Sequence, residues 1–429
     1  MFPRIAWLDV TDIHEYIQHQ SSVTGIQRVV TAVLPEMSLF DGSDERLRAA
    51  AQPGQFALCR YDFKHHLFTP VDHGEFLARL AAFQVKRPKG MASRFVAMVS
   101  RRADKKRSEA SRPLEACAFA EGDVIVCLGA FWFKPFYAHA ILSAARAWKL
   151  KAVFCVYDLI PIRFQEWGKK DAWRIWERWL QLVLRGSNSL VFCSRHARDD
   201  VVAYCGVHNI AMPHSRVFRL GDRFAPPSPV GGALKQPLIK ALRSEGYVLV
   251  VSSIDIRKNP DLLLRVWERI YRTRGPGTPH LVFIGKSGDQ GDKIIKRIKL
   301  AGRSSGRVRA LLDVNDGELA EWYRGALFTM MPSRMEGWGL PVAESLSLGK
   351  MCLSSNAGSL PEVGGDLVEY FDPDDIDRCA ALVEKYAFDP DALAKAEARI
   401  AAEYRTSLWS ETAAQLAAAV GDLLTPGGD

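Results

Sequence analysis

The second half of this chain alternates short apolar runs with amphipathic stretches, and no other feature constrains the fold as much. Apolar runs of strand length predict β-strands at Tyr247 to Ser252, His280 to Gly285, Val308 to Leu312, Leu327 to Met331, Met351 to Ser354 and Val368 to Phe371. Helical spacing of apolar residues predicts helices between them, at about 260–272, 292–300, 316–325 and 341–347. Strands that alternate with helices form a parallel sheet covered on both faces. The pattern therefore predicts a doubly wound α/β domain.

The first half carries a similar pattern, separated from the second by a linker rich in Pro and Gly at 225–232. It begins with a strand at Arg4 to Val10, a polar loop that contains Gly25, and an amphipathic helix from Ile26 to Leu39. A chain of 429 residues is long enough for two domains. We therefore expect two doubly wound, Rossmann-like α/β domains that face a central cleft. The predicted boundaries are 1–222 and 223–388, with C-terminal helices at 389–429 that pack across both domains.

The loop after the predicted strand at Leu327 to Met331 combines two glycines, a proline and two carboxylates. Gly337 and Gly339 leave its backbone amides open to a ligand, and Pro341 suits the first position of a helix. Such a helix begins with free N–H groups and the positive end of its dipole, which favours phosphate. The carboxylates of Glu336 and Glu344 flank this anion site and are good acceptors for hydroxyl groups. Phosphate in the middle with hydroxyls at both ends describes a nucleotide-sugar.

A second group of polar residues follows the strand at Tyr247 to Ser252. Arg257 and Lys258 precede a helix that Asn259 is expected to cap and Pro260 to open. Two adjacent cations at this place form a clamp for a diphosphate. Since the two cations repel each other beside a positive dipole end, the sequence favours a bound anion over a plain surface charge.

Three motifs together resemble the group 1 (family four) retaining glycosyltransferases of GT-B fold. They are Arg257-Lys258-Asn259, the run from Pro332 to Pro341 with Glu344, and the run from Gly358 to Asp366. The resemblance is dense from about 247 to 375. In the first half it is confined to Gly25-Ile26, to 157–161 and to Ser194.

The resemblance implies a role for each matching residue. Glu336 would bind hydroxyls of the transferred sugar, Glu344 the ribose hydroxyls, and Arg257 with Lys258 would neutralise the leaving diphosphate. The remaining donor contacts would come from Gly337, Trp338, Gly339, Leu340, Pro341 and, from the first domain, Gly25.

The chain departs from the family pattern at three places. Tyr157 stands where many relatives have His before Asp, so the residue facing the sugar or acceptor is Asp158 or neither. Trp338 replaces a commoner Phe, and Ser252-Ser253 occupy a region that often contains glycine.

The expected function is that of a retaining hexosyltransferase acting on a growing lipid-linked or surface polysaccharide. The resemblance favours a hexose such as mannose, taken from GDP-mannose or a similar nucleotide-diphosphate sugar, with no metal and no other cofactor. Two alternatives stay open: a non-hydrolysing nucleotide-sugar epimerase of the same fold, and a non-catalytic protein that binds sugar nucleotides. No G-x-G-x-x-G is present, which counts against a nicotinamide dehydrogenase. Helix capping explains Asp372-Pro373-Asp374-Asp375 better than metal binding does.

The net charge of +8 is concentrated in one segment. Residues 86–112 hold ten Lys or Arg and two acidic residues, and the rest of the chain has 47 of each sign. A general nucleic-acid-binding surface is therefore not expected. Apolar residues at helical spacing within 86–112 favour a basic amphipathic helix on an anionic membrane, with a solvated insertion as the alternative. Eight scattered cysteines predict a reduced, cytoplasmic protein. The absence of a long apolar run predicts no transmembrane helix, so the basic segment would place the protein at the periphery of the membrane's inner face.

Overall fold

The structure is a computed structural model that describes residues 4–19, 25–37, 55–85, 115–130, 132, 134–223, 236–312, 314 and 316–424. The basic segment 86–112 and the linker 225–232 lie outside the described residues. The chain divides into two compact units. One comprises Met1–Cys155, Trp179–Val191 and Ala413–Asp429, and the other comprises Val156–Arg178 and Phe192–Thr412.

The described residues form two sheets. The strands are β1 Ile5–Asp9, β2 Gln55–Asp62, β3 Leu67–Val71, β4 Val124–Cys127, β5 Lys151–Val156, β6 Ser189–Phe192, β7 His214–Val217, β8 Tyr247–Val251, β9 His280–Ile284, β10 Val308–Leu311, β11 Thr329–Met331, β12 Cys352–Ser355 and β13 Glu369–Phe371. The first sheet has the order β3-β2-β1-β4-β5-β6-β7 and the second has the order β10-β9-β8-β11-β12-β13. Both orders reverse direction beside the first strand of the sheet, as doubly wound sheets do.

Helices connect nearly all of the strands. They are α1 Thr11–His19, α2 Ile26–Met37, α3 His73–Val85, α4 Pro135–Trp148, α5 Ile160–Arg163, α6 Ala172–Gly186, α7 Arg195–His208, α8 Gln236–Glu245, α9 Pro260–Arg274, α10 Gly291–Ser305, α11 Asp316–Gly325, α12 Leu340–Ser347, α13 Leu360–Gly364, α14 Ile376–Phe388, α15 Pro390–Glu403 and α16 Trp409–Leu424. The predicted α/β alternation is confirmed, and the architecture is two Rossmann-like domains.

The second sheet is parallel throughout, as its pattern predicts. Its strands are buried on both faces because neighbouring helices cover them; in β8, for example, Tyr247 and Leu249 are fully buried. The register pairs Val251 of β8 with Ile284 of β9, and Met331 of β11 with Ser354 of β12. The carboxyl ends of these strands therefore meet along one edge, where the loops that carry Arg257 and Glu336 begin.

The first half of the chain differs from the prediction at several places, and strand β7 and helix α3 are among the elements that were not predicted. Strand β3 was not predicted, and it pairs antiparallel with β2. Its Pro70 cannot donate a ladder hydrogen bond, which suits its position at the edge of the sheet. Helix α1 occupies residues that the sequence assigns to a polar loop, and only Thr11 and Ile13 of this helix are buried.

Candidate functional site

The loop between β11 and α12 carries most of the predicted donor residues. Strand β11 ends at Met331, and α12 begins at Leu340, so Pro341 is the second residue of the helix and not the first. Gly339 precedes the helix with a φ of 121° and offers no side-chain cap. The carbonyl of Gly339 accepts from the N–H groups of Val342 at 3.0 Å and Ala343 at 3.4 Å, so among the described residues the N–H of Leu340 is the donor left for an anion at the start of α12.

Arg257 and Lys258 end a short 3₁₀ turn, Ile256–Lys258, that follows β8. The carboxylate of Asp255 caps this turn and accepts a hydrogen bond from the backbone N–H of Lys258 at 3.1 Å. The predicted capping role of Asn259 is wrong. Its backbone is left-handed, with a φ of 52°, and its side-chain amide donates to the carbonyl of Pro373 at 2.7 Å. Asn259 thus turns the chain sharply between the two cations and α9.

Glu336 is the counter-ion of both cations. Nη1 of Arg257 donates to one carboxylate oxygen at 2.7 Å, and Nζ of Lys258 donates to the other. Arg257 also donates to the carbonyl of Met335 at 3.0 Å, which ties the two loops together. Glu336 is 7% exposed, so the ion pair is shielded from water. Charge-assisted bonds of this kind are about twice as strong as neutral ones.

The electrostatics of this triad follow from burial and charge. Burial alone would raise the pKa of Glu336, but Arg257 and Lys258 outweigh it and hold the pKa at about 2. Burial and the neighbouring Arg257 lower the pKa of Lys258. The expectation that the two cations need a bound ligand as their anion is therefore wrong, because the carboxylate of Glu336 already pairs with both. The carboxylates of Asp255 and Asp158 also act on the charge of Arg257, so three acidic groups surround the two cations.

Gly358 and Ser359 support the backbone beneath Glu336. Gly358 has a φ of 63°, and a Cβ on it would lie 2.4 Å from the carbonyl oxygen of Glu336, so only glycine fits. The hydroxyl of Ser359 lies 3.0 Å from the same carbonyl and 2.6 Å from that of Trp338. These contacts hold the backbone at Glu336 in place and thereby fix the direction of its side chain.

Gly337 brings Asp158 next to the donor loop. A Cβ on Gly337 would lie 2.4 Å from the carbonyl oxygen of Tyr157 and 2.9 Å from the Cβ of Asp158, so the two backbones touch. The carbonyl of Gly337 accepts a hydrogen bond from Ser194 Oγ at 2.8 Å. Ser194 also caps α7 by accepting from the N–H of Ala197 at 3.0 Å.

Asp158 is half-buried at the end of β5 and accepts a hydrogen bond from the N–H of Ile160 at 3.0 Å. Burial raises its pKa, and the positive charge of Arg257 partly offsets that effect. Asp158 is therefore the titratable group beside Gly337 whose affinity for a proton is raised.

The remaining predicted residues have distinct positions. Glu344 is buried in α12 and accepts a hydrogen bond from the hydroxyl of Tyr323 at 2.8 Å. Trp338 is buried, and the guanidinium of Arg219 lies 5.6 Å from the centre of the Trp338 ring. Leu340 and Pro341 are half-buried.

Gly25 belongs to the first unit. It begins α2 with a φ of 51°, and its carbonyl accepts from the N–H of Arg28 at 3.1 Å. Residues 20–24 before it lie outside the described residues.

The acidic run at 372–375 and the cysteines have structural roles. Asp375 caps α14 and accepts from the N–H of Arg378 at 2.8 Å, which confirms the capping interpretation of that run.

All eight cysteines are buried thiols that form no disulfide. Within the described ranges, no group of three or more His, Cys, Asp or Glu side chains is arranged to hold a metal ion. Over the same part of the chain, no helix is long and apolar enough to cross a membrane.

The comparisons with known proteins concern the fold and the family of the chain. Residues 239–404 match the family model of glycosyl transferases group 1. Sucrose-phosphate synthase from Thermosynechococcus elongatus has the same fold, with a TM-score of 0.60 over 96% of this chain and 97% of that one, at 15% identity. The fold class is thus GT-B, and residues 239–404 are similar to the glycosyl transferases group 1.

Two sequence relatives indicate which class of enzyme the chain resembles. The chain is 27% identical to the O-antigen chain mannosyltransferase B of Escherichia coli over 270 residues, 62% of this chain and 68% of that protein. It is 23% identical to the serotype-specific mannosyltransferase WbdA of Escherichia coli over 282 residues, 63% of this chain. The match spans 34% of the length of WbdA. A glycosyltransferase is the class that these relatives support.

Sequence reasoning found the two loops but missed the residues that hold them in place. Ser359 and Gly358 stand in a motif that was recognised without a structural role, and Asp255 two residues before Arg257 was overlooked. An Asp three residues before the N–H that it caps is a signal that could have identified Asp255. No local signal links Ser194 to Gly337, because that contact joins segments 143 residues apart.

Proposed function

We propose that the protein is a retaining hexosyltransferase that moves mannose from GDP-mannose, or a similar nucleotide-diphosphate sugar, to a growing lipid-linked or surface polysaccharide. The observation that carries this proposal is the buried cluster of Arg257, Lys258 and Glu336 at the carboxyl edge of the second sheet. Ligands of open α/β sheets bind at this edge. The group 1 match over 239–404 supports the same reaction class.

The cluster suits a reaction in which negative charge accumulates on a leaving diphosphate. Arg257 and Lys258 stabilise the nucleoside diphosphate as the sugar–phosphate bond breaks. No metal or other cofactor is required, because two protein cations already serve the phosphates. The capless start of α12 and the amides of 337–339 bind the remaining phosphate oxygens.

Glu336 and Glu344 bind the two ends of the donor. An ionised carboxylate has about four acceptor positions, so Glu336 can hold both cations and still accept hydroxyls of the transferred sugar. Its low pKa supports this role, since the group stays ionised at every physiological pH. Glu344 binds the ribose hydroxyls.

Asp158 acts at the acceptor side of the reaction. Its contact with Gly337 places it beside the donor loop, and burial raises its affinity for a proton. We assign it the positioning of the acceptor hydroxyl, with front-face attack and retention of configuration.

The sugar and acceptor are inferred from the relatives. Both Escherichia coli relatives are mannosyltransferases by name, and one acts on the O-antigen chain. We therefore favour mannose as the sugar and a polysaccharide as the acceptor. We place the reaction at the cytoplasmic face of an anionic membrane, to which residues 86–112 bind through their excess of positive charge.

Incubation with labelled nucleotide-sugars tests the proposal. We expect label from GDP-mannose to appear in a polysaccharide or lipid-linked acceptor, with the α-configuration of the donor kept. Release of an epimerised nucleotide-sugar, or binding without turnover of any donor in the presence of extracted acceptor glycans, would contradict it.

A further inference from the structure

A parallel aromatic stack follows Asp158 in the chain. The rings of Phe164 and Trp167 lie 4.1 Å apart at their centroids and are parallel to within 2°. The stack is fixed by the backbone, since the N–H of Phe164 donates to Ile160 at 2.9 Å and that of Trp167 donates to Phe164 at 3.1 Å. The guanidinium of Arg163 lies 5.5 Å from the centre of the Phe164 ring. Trp167 is half-buried and ends the stack.

A cavity of about 430 Å³ opens beside this stack within the second unit. Phe164 and Trp167 line one part of it, and the first turn of α9, with Pro260 and Asp261, lines another. Cavities of about 300–1,000 Å³ with apolar walls and a few polar groups are typical of small-molecule sites. The volume and the aromatic wall therefore suit a compact ligand with an apolar face.

The charged groups that line the cavity do not favour an anion. Arg334 is paired with Asp374, Oδ2 of Asp261 accepts from Arg297 at 2.6 Å, and Glu166 adds a carboxylate to the wall. Oδ1 of Asp261 has no hydrogen-bond partner within the part of the chain that the structure describes, and the Asp261 side chain as a whole is 41% exposed. A carboxylate that reaches the surface with one oxygen unpaired can accept a hydrogen bond from a ligand hydroxyl. This arrangement favours a neutral ligand with hydroxyl groups over a phosphate.

The cavity adjoins the donor cluster. Two of its lining residues, Ile256 and Asn259, flank Arg257 and Lys258 in the chain. The backbone N–H of a third, Arg334, donates to the carbonyl of Arg257 at 2.9 Å. A ligand in the cavity is thus separated from the cations by a single turn of backbone.

We infer that this cavity is a saccharide subsite that holds a sugar ring of the acceptor glycan. The apolar C–H face of a pyranose packs on Trp167, because burying apolar surface against an aromatic ring is favourable. A hydroxyl of the same ring donates to Oδ1 of Asp261. The subsite rests on the proposed function, and it adds that the acceptor is recognised by a sugar ring distant from the reacting hydroxyl.

Two variants and two measurements test the subsite. In the transfer reaction, Trp167→Ala raises the KM for a glycan acceptor by roughly three- to tenfold with little change in kcat, and Trp167→Phe restores much of the affinity. Trp148→Ala is the matched control, since Trp148 is 52% exposed and lies in the first unit. An acceptor KM for Trp167→Ala equal to that of the control, with transfer intact, overturns the subsite and leaves the proposed function standing.

Binding without turnover separates the two ideas further. We expect calorimetric titration of the full chain with α-linked tetrasaccharides of mannose, glucose, galactose or rhamnose to show saturable binding of at least one, weakened in Trp167→Ala. Such binding in a protein that transfers no sugar supports the subsite and contradicts the proposed function. Absence of binding by all four tetrasaccharides overturns the subsite.

Discussion

Replacing Glu336 by Gln removes the negative charge that holds Arg257 and Lys258 together. The pKa of Glu336 lies at about 2 in the folded chain, against an ordinary value of 4.5. That difference corresponds to roughly 3 kcal/mol of folding free energy at neutral pH. It agrees with the roughly 3–5 kcal/mol that loss of one partner from a buried ion pair usually costs. We therefore expect Glu336→Gln to lower the free energy of unfolding by about 3 kcal/mol at pH 7.

The difference in the free energy of unfolding should also change with pH, in a direction that follows from the lowered pKa of Glu336. Because folding lowers the pKa of Glu336, the stabilisation is fully present above pH 4.5 and is lost as the pH falls toward 2. The difference in stability between wild type and Glu336→Gln should stay constant from pH 7 to 5 and shrink by roughly 1 kcal/mol by about pH 3.5. Urea unfolding followed by tryptophan fluorescence measures the difference at each pH.

The matched control is Glu321→Gln, which removes an exposed ion pair with Arg324 of 2.6 Å. Exposed pairs contribute about 0–1 kcal/mol, so this variant should be nearly as stable as wild type. Equal destabilisation by the two substitutions, or a difference for Glu336→Gln that does not change below pH 4.5, would refute the reasoning.

Three further predictions concern transfer and membrane binding. Lys258→Ala should reduce transfer by roughly a hundredfold or more while the circular dichroism spectrum stays unchanged, because a leaving-group cation is lost; unchanged turnover would remove Lys258 from the clamp. Gly337→Ala should lower both the melting temperature and transfer, since its Cβ would lie 2.4 Å from the carbonyl of Tyr157, whereas Gly206→Ala, with nothing within 4 Å, should do neither. Deletion of 86–112 should weaken sedimentation with anionic liposomes but not with neutral ones; equal sedimentation of the truncated and full chains would contradict the membrane assignment.

The sequence was sufficient to predict the elements that form the second sheet. Its strands are short and mostly apolar, so local pattern and tertiary burial favour the same structure. Strand β3 escaped prediction because Pro70 argues against a strand, and only its edge position makes Pro acceptable. Helix α1 escaped because it is mostly polar and buries only two of its nine residues.

The candidate site was predicted in its parts but not in its contacts. The motifs identify Arg257, Lys258 and Glu336, but composition does not reveal that the carboxylate pairs with both cations. The same limit applies to Asp158, whose contact with Gly337 joins segments nearly 180 residues apart and depends on the tertiary fold. Glu344 shows the same limit. Its hydrogen-bond partner, Tyr323, belongs to a helix whose other buried side chains pack in the hydrophobic core, so the sequence gives no sign of the contact.

Calorimetric titration of the full chain with GDP and with UDP tests the central claim, that Arg257 and Lys258 bind a nucleoside diphosphate, most directly. The account predicts saturable binding of one nucleotide per chain, weakened at least roughly tenfold in Lys258→Ala because a charge-assisted hydrogen bond is lost. The control Lys240→Ala, which removes an exposed lysine of α8, should bind as wild type does. Absence of saturable binding by either nucleotide, or equal affinity in wild type and Lys258→Ala, would contradict the account.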